Sequence, residues 1–277
     1  MKITEYPSVN EISDSNVFIL DGDNGTKQIA ASNLRYALFD GVPEMHSNMY
    51  RGKNLGSTFT IEQKNSVQNG TFHDLWIGDY WHIGDIDYRI ADFDYFYGKS
   101  TNSVNRHHLV IVPDQALYYA KMETDSNNLY AKGYTDSYMY KTGLENAKTT
   151  VLNAFQSNVI TIKKLHVVSR TGSGISNSVR YDDVQVDLLD LYMALGTNEG
   201  TATISSSIPT GPIYRQLKLF WLNNKALLIP DNKAWWTSSQ NSATIGYMVV
   251  GVDSGNLIVK ASNDSSEAGV RPFFCIG

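Results

Sequence analysis

Apolar and polar positions change rhythm several times along this chain of 277 residues. In "LWIGDYWHIGDIDYRIADFDYFYG", Trp81 and Ile83 alternate with Tyr80 and His82. After a two-residue turn at Gly84 and Asp85, Ile86, Tyr88 and Ile90 alternate with Asp87, Arg89 and Ala91. A period of two on both sides of a short turn predicts a β-hairpin. "HHLVIVPD" is a continuous apolar run and predicts a buried strand stopped by Pro113. "KTGLENAKTTVLNAFQS" moves to a helical period. Leu144, Ala147, Val151, Ala154 and Phe155 fall on one face, and Thr142 with Glu145 fits a capping box. "VITIKKLHVVS" reads as a strand, and "RYDDVQVDLLDLYMALG" as a helical or mixed segment ended by Gly196. "GTATISSSIPTGP" reads as a loop. "QLKLFWL", "ALLIP" and two C-terminal strands around a "DSGN" turn then complete a mainly antiparallel sheet.

In the first of those C-terminal strands, Tyr247, Val249 and Gly251 alternate with Met248, Val250 and Val252. The all-apolar second set is expected to face the core, which leaves Tyr247, Val249 and Gly251 facing outward. After the turn, Leu257 and Val259 alternate with Ile258 and Lys260.

Upstream, residues 1–45 read as a separate small module. Val17 to Leu20 and Lys27 to Ala30 are strands around "DGDNG", and a short helix is expected from Ser32. The Asp21–Gly25 turn mimics the start of an EF-hand loop, but the fifth and twelfth positions hold Gly25 and Ser32, so it reads as a hairpin turn. So short a segment buries too little to be stable alone and is expected to dock on a partner or its own copies. Residues 46–75 are polar and rich in Gly and Asn, and read as a linker; residues 76–277 form the main domain. The fold class expected is α+β.

Composition adds that the surface is carried by uncharged polar groups. Charged residues make up only 18%, against 42% hydrophobic, and 17 tyrosines lift the aromatics to 12%. Tyr, Ser and Asn in this abundance suit a recognition surface. With a net charge of −5 and no basic run, a nucleic-acid partner is not expected. The single cysteine, Cys275, rules out an internal disulfide framework and a Cys-based zinc site. The opening "MKITEYPSVNEISDSN" lacks the apolar core of a signal peptide, and no stretch has the ~20 apolar residues of a membrane span. Synthesis in a cytoplasm and a soluble product, with no membrane insertion, are the expectation.

No catalytic constellation is legible. Of His46, His73, His82, His107, His108 and His166, only His107 and His108 are adjacent; on a strand they point to opposite faces and do not share a metal. Asp85, Asp87, Asp92 and Asp94 cluster, but they read as turn and rim carboxylates, with Asp87 or Asp92 pairing Arg89, rather than as a calcium site. "GSGIS" at Gly172–Ser176 is not a nucleophile elbow, and no phosphate-binding glycine loop is present. The expectation is a protein that is not an enzyme and holds no cofactor and no metal.

Three stretches carry a family resemblance: "WIGDYWHIGDIDYRIADFDYF", "HHLVIVPDQALYYAKM" and the terminal "GVRPFFCI". Together they resemble phage and prophage tail proteins with a C-type-lectin-like fold, among them tropism determinants whose C-terminal region is diversified by retroelements. "NVFILDGDNGTKQIAASNLRYALFD" is similar to the attachment segment of such tail proteins. The resemblance implies a C-type-lectin-like domain of mostly antiparallel sheet with flanking helices. It implies a homotrimer on the virion tail tip, attached to other tail proteins through residues 1–45. The partner implied is a host cell-surface protein or glycan. Trp235, Arg271, Pro272 and Phe273 or Phe274 are implied to be framework. The exposed ligand-binding positions implied are Trp236, Thr237, Ser239, Gln240, Asn241, Ser242 and Thr244, then Tyr247, Val249, Asp253, Asn256 and Lys260.

The chain also departs from its wider fold relatives. It has no E-P-N or Q-P-D triplet and no W-N-D, so a calcium-mediated sugar site is not implied. Formylglycine-generating enzymes need a cysteine pair that this chain lacks. The variable segment opens on "WWTS" where the family has W-L-R-S. The alternative reading is a structural baseplate or fibre-assembly protein without direct receptor binding.

Overall fold

A computed structural model of the chain describes residues 17–20, 27–30, 45–98, 104–124, 133–167, 179–196, 215–222, 224–229, 232–240, 247–253, 256–262 and 266–277. The chain divides into two compact units, Met1–His46 and Ser47–Gly277. In the first, β1 (Val17–Leu20) and β2 (Lys27–Ala30) form the expected hairpin, with Val17 opposite Ala30 and Leu20 opposite Lys27. The Asp21–Gly25 turn and the helix expected from Ser32 lie outside the described residues.

The second unit runs α1 (Ile61–Gln68), β3 (Tyr80–Ile83), β4 (Ile86–Phe93), β5 (Leu109–Pro113), β6 (Tyr118–Lys121), α2 (Glu145–Phe155), β7 (Val159–Ile160), β8 (Ile162–Val167) and β9 (Val179–Val184). It continues with β10 (Val186–Leu188), α3 (Leu191–Leu195), α4 (Lys218–Leu222), α5 (Asn224–Leu228), β11 (Trp235–Gln240), β12 (Tyr247–Asp253), β13 (Asn256–Ser262), β14 (Glu267–Val270) and β15 (Pro272–Ile276). One sheet has the order β10-β15-β5-β4-β3, with β7 also on β15; a second has the order β13-β12-β11-β14-β6; β8 and β9 pair alone. The named pairs are antiparallel except β11 with β14, which is parallel at Trp235 and Gly269. The architecture is α+β with mostly antiparallel sheets. Among the described residues, no helix is long and apolar enough to cross a membrane.

The core gathers on β15. This strand lies between β10 and β5, and all of its residues are buried. That explains why "PFFCI" is apolar throughout instead of alternating. The helix α2 lays Ala147, Val151 and Phe155 inward, and the Phe155 ring meets Phe274, Tyr88 and Trp81 at 5.1, 5.2 and 5.9 Å. Arg271, just before β15, is also fully buried. Its Nε donates to Pro113 O at 2.9 Å and an Nη to Leu228 O at 3.1 Å, and its guanidinium faces the rings of Phe220 and Trp235. Burial lowers its pKa to about 10, so it remains a cation at neutral pH.

Several expectations change. Residues 46–75 are not a linker. Arg51 N–H donates to Ile77 O and Leu55 N–H to Tyr80 O, so the segment runs along the edge near β3. Arg51 pairs with Asp74 and with buried Asp79, and Val67 and Phe72 are buried. The reason is a capping box that lies here instead. Thr60 Oγ1 accepts from Gln63 N–H at 3.3 Å, while Gln63 Oε1 accepts from Thr60 N–H at 3.0 Å and from the Trp81 indole at 3.1 Å. Thr142 and Glu145 form no box, because α2 is entered from a π-helical turn, Met139–Gly143, and Leu144 caps it without a side-chain bond. "QLKLFWL" and "ALLIP" contain the helices α4 and α5 rather than strands. A carboxylate from β4 starts the first of them: Asp92 accepts from Lys218 N–H at 3.0 Å. Arg89 pairs with Asp114, not with Asp87 or Asp92, which take His82 and Arg215. The mixed alternative holds for 180–196: β9, β10, then α3, capped by Asp190 and closed by Gly196 at φ 71°.

If β15 is the core's centre, Phe274→Ala leaves a cavity that helix and sheet cannot close. The expected loss is about 3–5 kcal/mol of unfolding free energy, read from denaturant melts of the intact chain.

Candidate functional site

The stretch expected to bind begins on β11, and its first residues are framework. Adjacent strand residues point to opposite faces, and here both faces are covered. Trp235 is buried on one side, its indole N–H donating to Leu228 O at 2.9 Å; Trp236 is buried on the other, donating to Ala120 O at 2.8 Å. Between Trp236 and Gln240 the register with β12 shifts. Thr237 spans the irregularity: its buried hydroxyl donates to Met248 O at 2.8 Å and accepts from Ser239 N–H at 3.3 Å. A bulge turns a strand away from its partner, and this one turns β11 toward the segment between β10 and α3. Ser238 N–H donates to Leu189 O at 2.9 Å, and Ser239 Oγ accepts from Leu191 N–H at 3.0 Å.

The outward register expected on β12 is corrected. Met248 and Val250 are buried as expected, but Tyr247 and Val249 are buried too, at 1% exposure each. The physical reason is that "YMVVGV" is apolar in both registers, the signature of a strand covered on two faces. The Tyr134 ring lies 6.4 Å from Tyr247, edge to face. Trp236, Thr237, Tyr247 and Val249 therefore hold the sheet together and present no surface to a ligand. Ser239 is half-buried, with its hydroxyl engaged. Gln240 pairs in register with Tyr247, Asp253 with Asn256, and Lys260 with Val249. Asn241, Ser242 and Thr244 lie outside the described residues.

Beneath the end of β11 lies a buried charged network that the sequence reading did not identify. Asp187, with no exposed surface, is its centre. Lys164 Nζ donates to Asp187 Oδ2 at 2.9 Å, to Leu188 O at 2.5 Å and to Ser238 Oγ at 3.2 Å. Tyr134 OH donates to Asp187 Oδ1 at 2.6 Å. His166 places Nε2 2.8 Å from Asp187 Oδ2 and Nδ1 2.8 Å from Asp182 Oδ2. Arg180 reaches the other Asp182 oxygen at 2.7 Å, and the rings of Tyr134 and Tyr140 flank the imidazole. Burial alone would raise the Asp187 carboxyl, but Lys164, His166 and Tyr134 outweigh it and hold it well below the usual carboxylate range. Burial alone would likewise lower His166; the attraction of Asp187 and the bonds to both carboxylates outweigh it and raise its pKa above the ordinary value.

Every polar atom at the network's centre is committed. The three ammonium protons of Lys164, both nitrogens of His166 and both oxygens of Asp187 have partners inside the protein. The arrangement fixes position and leaves no group there to act on a substrate. One sequence signal does point to it: Ile162, Lys164 and His166 share a strand face, and all three are buried while Lys163 and Leu165 are not.

The histidine pair behaves differently from this. His108 is fully buried and His107 partly exposed, its ring stacked on Tyr97 at 4.7 Å. His108 Nδ1 bonds the Arg106 carbonyl and Nε2 accepts from Phe96 N–H, an arrangement that suits a neutral ring; burial lowers its pKa. Among the described residues, no group of three His, Cys, Asp or Glu side chains is arranged to hold a metal ion. Comparison with family models, with curated proteins and with solved structures finds no match to this chain.

Removing the charge of Asp187 leaves buried Lys164 without a counter-ion and His166 with Asp182 alone. Asp187→Asn is expected to cost about 3–5 kcal/mol of stability, read from denaturant melts at neutral pH.

Proposed function

We propose that this chain is a receptor-binding protein of a phage or prophage tail tip, built on a C-type-lectin-like fold. One observation carries the reading. β11 is anchored on both faces by Trp235 and Trp236 and braced at its end by Leu189, Leu191 and Lys164, and the sequence directly beyond it, Asn241–Thr244, is small, uncharged and polar but for Ala243. A rigid support with a polar stretch at its tip is what recognition needs when the contact residues change from one variant to the next. The resemblance of "GVRPFFCI" and the hairpin motifs to tail tropism proteins supplies the biological setting.

The binding positions in this reading are narrower than the sequence suggested. The proposed contacts are Ser239 and Gln240 at the end of β11, Asn241, Ser242 and Thr244 in the sequence that follows it, and Asp253, Asn256 and Lys260 on β12 and β13. These are also the positions where retroelement diversification would change contacts without disturbing the buried tryptophans. The host-surface ligand is a protein or a glycan. A trimer attached through residues 1–45 would gather several weak contacts into firm adsorption.

The test replaces Asn241, Ser242 and Thr244 together by alanine in the assembled particle. Adsorption to host cells should fall by at least about tenfold, the equivalent of ~1.4 kcal/mol, with the melting temperature unchanged. Unchanged adsorption, with the second unit covered by other virion proteins on imaging, would make the chain a structural baseplate component instead.

A further inference from the structure

The Lys164–His166–Asp187 network joins β8, β9, β10, β11 and the turn that carries Tyr134, and an imidazole sits inside it. Both nitrogens of His166 face carboxylate oxygens at 2.8 Å. A neutral imidazole has one N–H and one lone pair, so only the doubly protonated ring satisfies both contacts. We infer that the His166 imidazolium is a pH-operated clamp on the second half of β11. Charged, it locks Asp182 of β9 to Asp187 of β10; neutral, it turns a lone pair on one of them and loosens the Lys164–Ser238 tie.

The groups facing this ring from each neighbouring element are few. Lys164 lies on the same strand, Asp182 and Arg180 on β9, and Asp187 on β10. Tyr134 and Tyr140 come from the helical turns beside it. Neither tyrosine titrates with it: burial holds Tyr134 well above the ordinary phenol value and pushes Tyr140 up to about 12. Asp187 is held far below neutrality, and Asp182 is lowered, burial being outweighed by His166 and Arg180. His166 is the histidine of this cluster, and the attraction of Asp187 with the bonds to both carboxylates outweighs burial and raises its pKa above the ordinary imidazole value. Its folded pKa is raised, so the stability it contributes is complete below about 6.5 and is lost as pH rises through the folded value. The loss is transmitted to β11 through Lys164 Nζ, which bonds Ser238 Oγ and Leu188 O, next to the Ser238 N–H bond to Leu189 O.

The clamp is independent of what the strand end binds. The experiment follows the imidazole nitrogens of the intact labelled chain by NMR from pH 5.5 to 9.5, with amide exchange protection measured in parallel. His166 should read as an imidazolium at pH 6.5 and titrate above it. Protection at the Ser238 and Ser239 amides should fall in step, by roughly tenfold per pH unit between 6.5 and the titration midpoint, then level off. Amides of the β4–β5 ladder should not follow. His166→Gln should abolish the step. Should that variant fail to fold, Asp182→Asn should shift both the titration and the step to lower pH. Titration of His166 at or below 6.5, or β11 protection that stays flat through its titration, would overturn the clamp.

Discussion

The Asp187 carboxylate is the point on which the C-terminal half of this fold turns. It has no exposed surface, yet it accepts from Lys164, His166 and Tyr134, which belong to β8 and the turn before the π-helical segment. Taking three ionisable groups out of water is costly, and a well-packed apolar cluster of the same volume would often be as stable or more so. What the ions add is direction. A hydrophobic patch tolerates sliding, whereas a carboxylate with fixed donors accepts one register of β8–β9 against β10. Lys164 extends that register to Ser238, so β11 is located by charge at its far end and by the two tryptophans at its start.

This division explains which parts of the fold were legible in the sequence. The β3–β4 hairpin was, because period two and a two-residue turn are local facts. β5 was, because a continuous apolar run marks a strand buried on both faces, whereas β15 was marked only as framework, by the resemblance. The same rule applied to "YMVVGV", where alternation was read into a segment that has none, and Tyr247 and Val249 were placed outside. The helix α4 was missed because its N-terminal acceptor, Asp92, comes from β4, 126 positions earlier in the chain. The segment 46–75 looked like a linker because its polar residues were read as solvent-facing; instead Arg51 and Lys53 place their charges on Asp74 and Asp79, and the Lys53 amide bonds Asp79.

The candidate site was legible in outline only. The expectation of polar contact residues after β11 followed from composition and from the resemblance, and residues 241–246 lie outside the described residues. The bracing of β11 did not follow from either, because the network's members are scattered: Lys164 and Asp187 are 23 residues apart and Lys164 and Ser238 are 74 apart. No local pattern announces such a cluster beyond the two polar side chains on the buried face of β8.

The two buried histidines place opposite demands on pH. His108 is neutral, donating to Arg106 O and accepting from Phe96 N–H, and burial depresses its pKa; its contribution is present above the ordinary imidazole value and lost on acidification. His166 is charged between two carboxylates, its pKa raised; its contribution is present below that value and lost on alkalinisation. One histidine sits against the six-stranded sheet that carries the core, the other in the network that reaches β11. Protonating His108 therefore strains the core, while deprotonating His166 acts beside β11. The same residue type yields opposite dependences because one ring is partnered by a carbonyl and an amide, and the other by two anions.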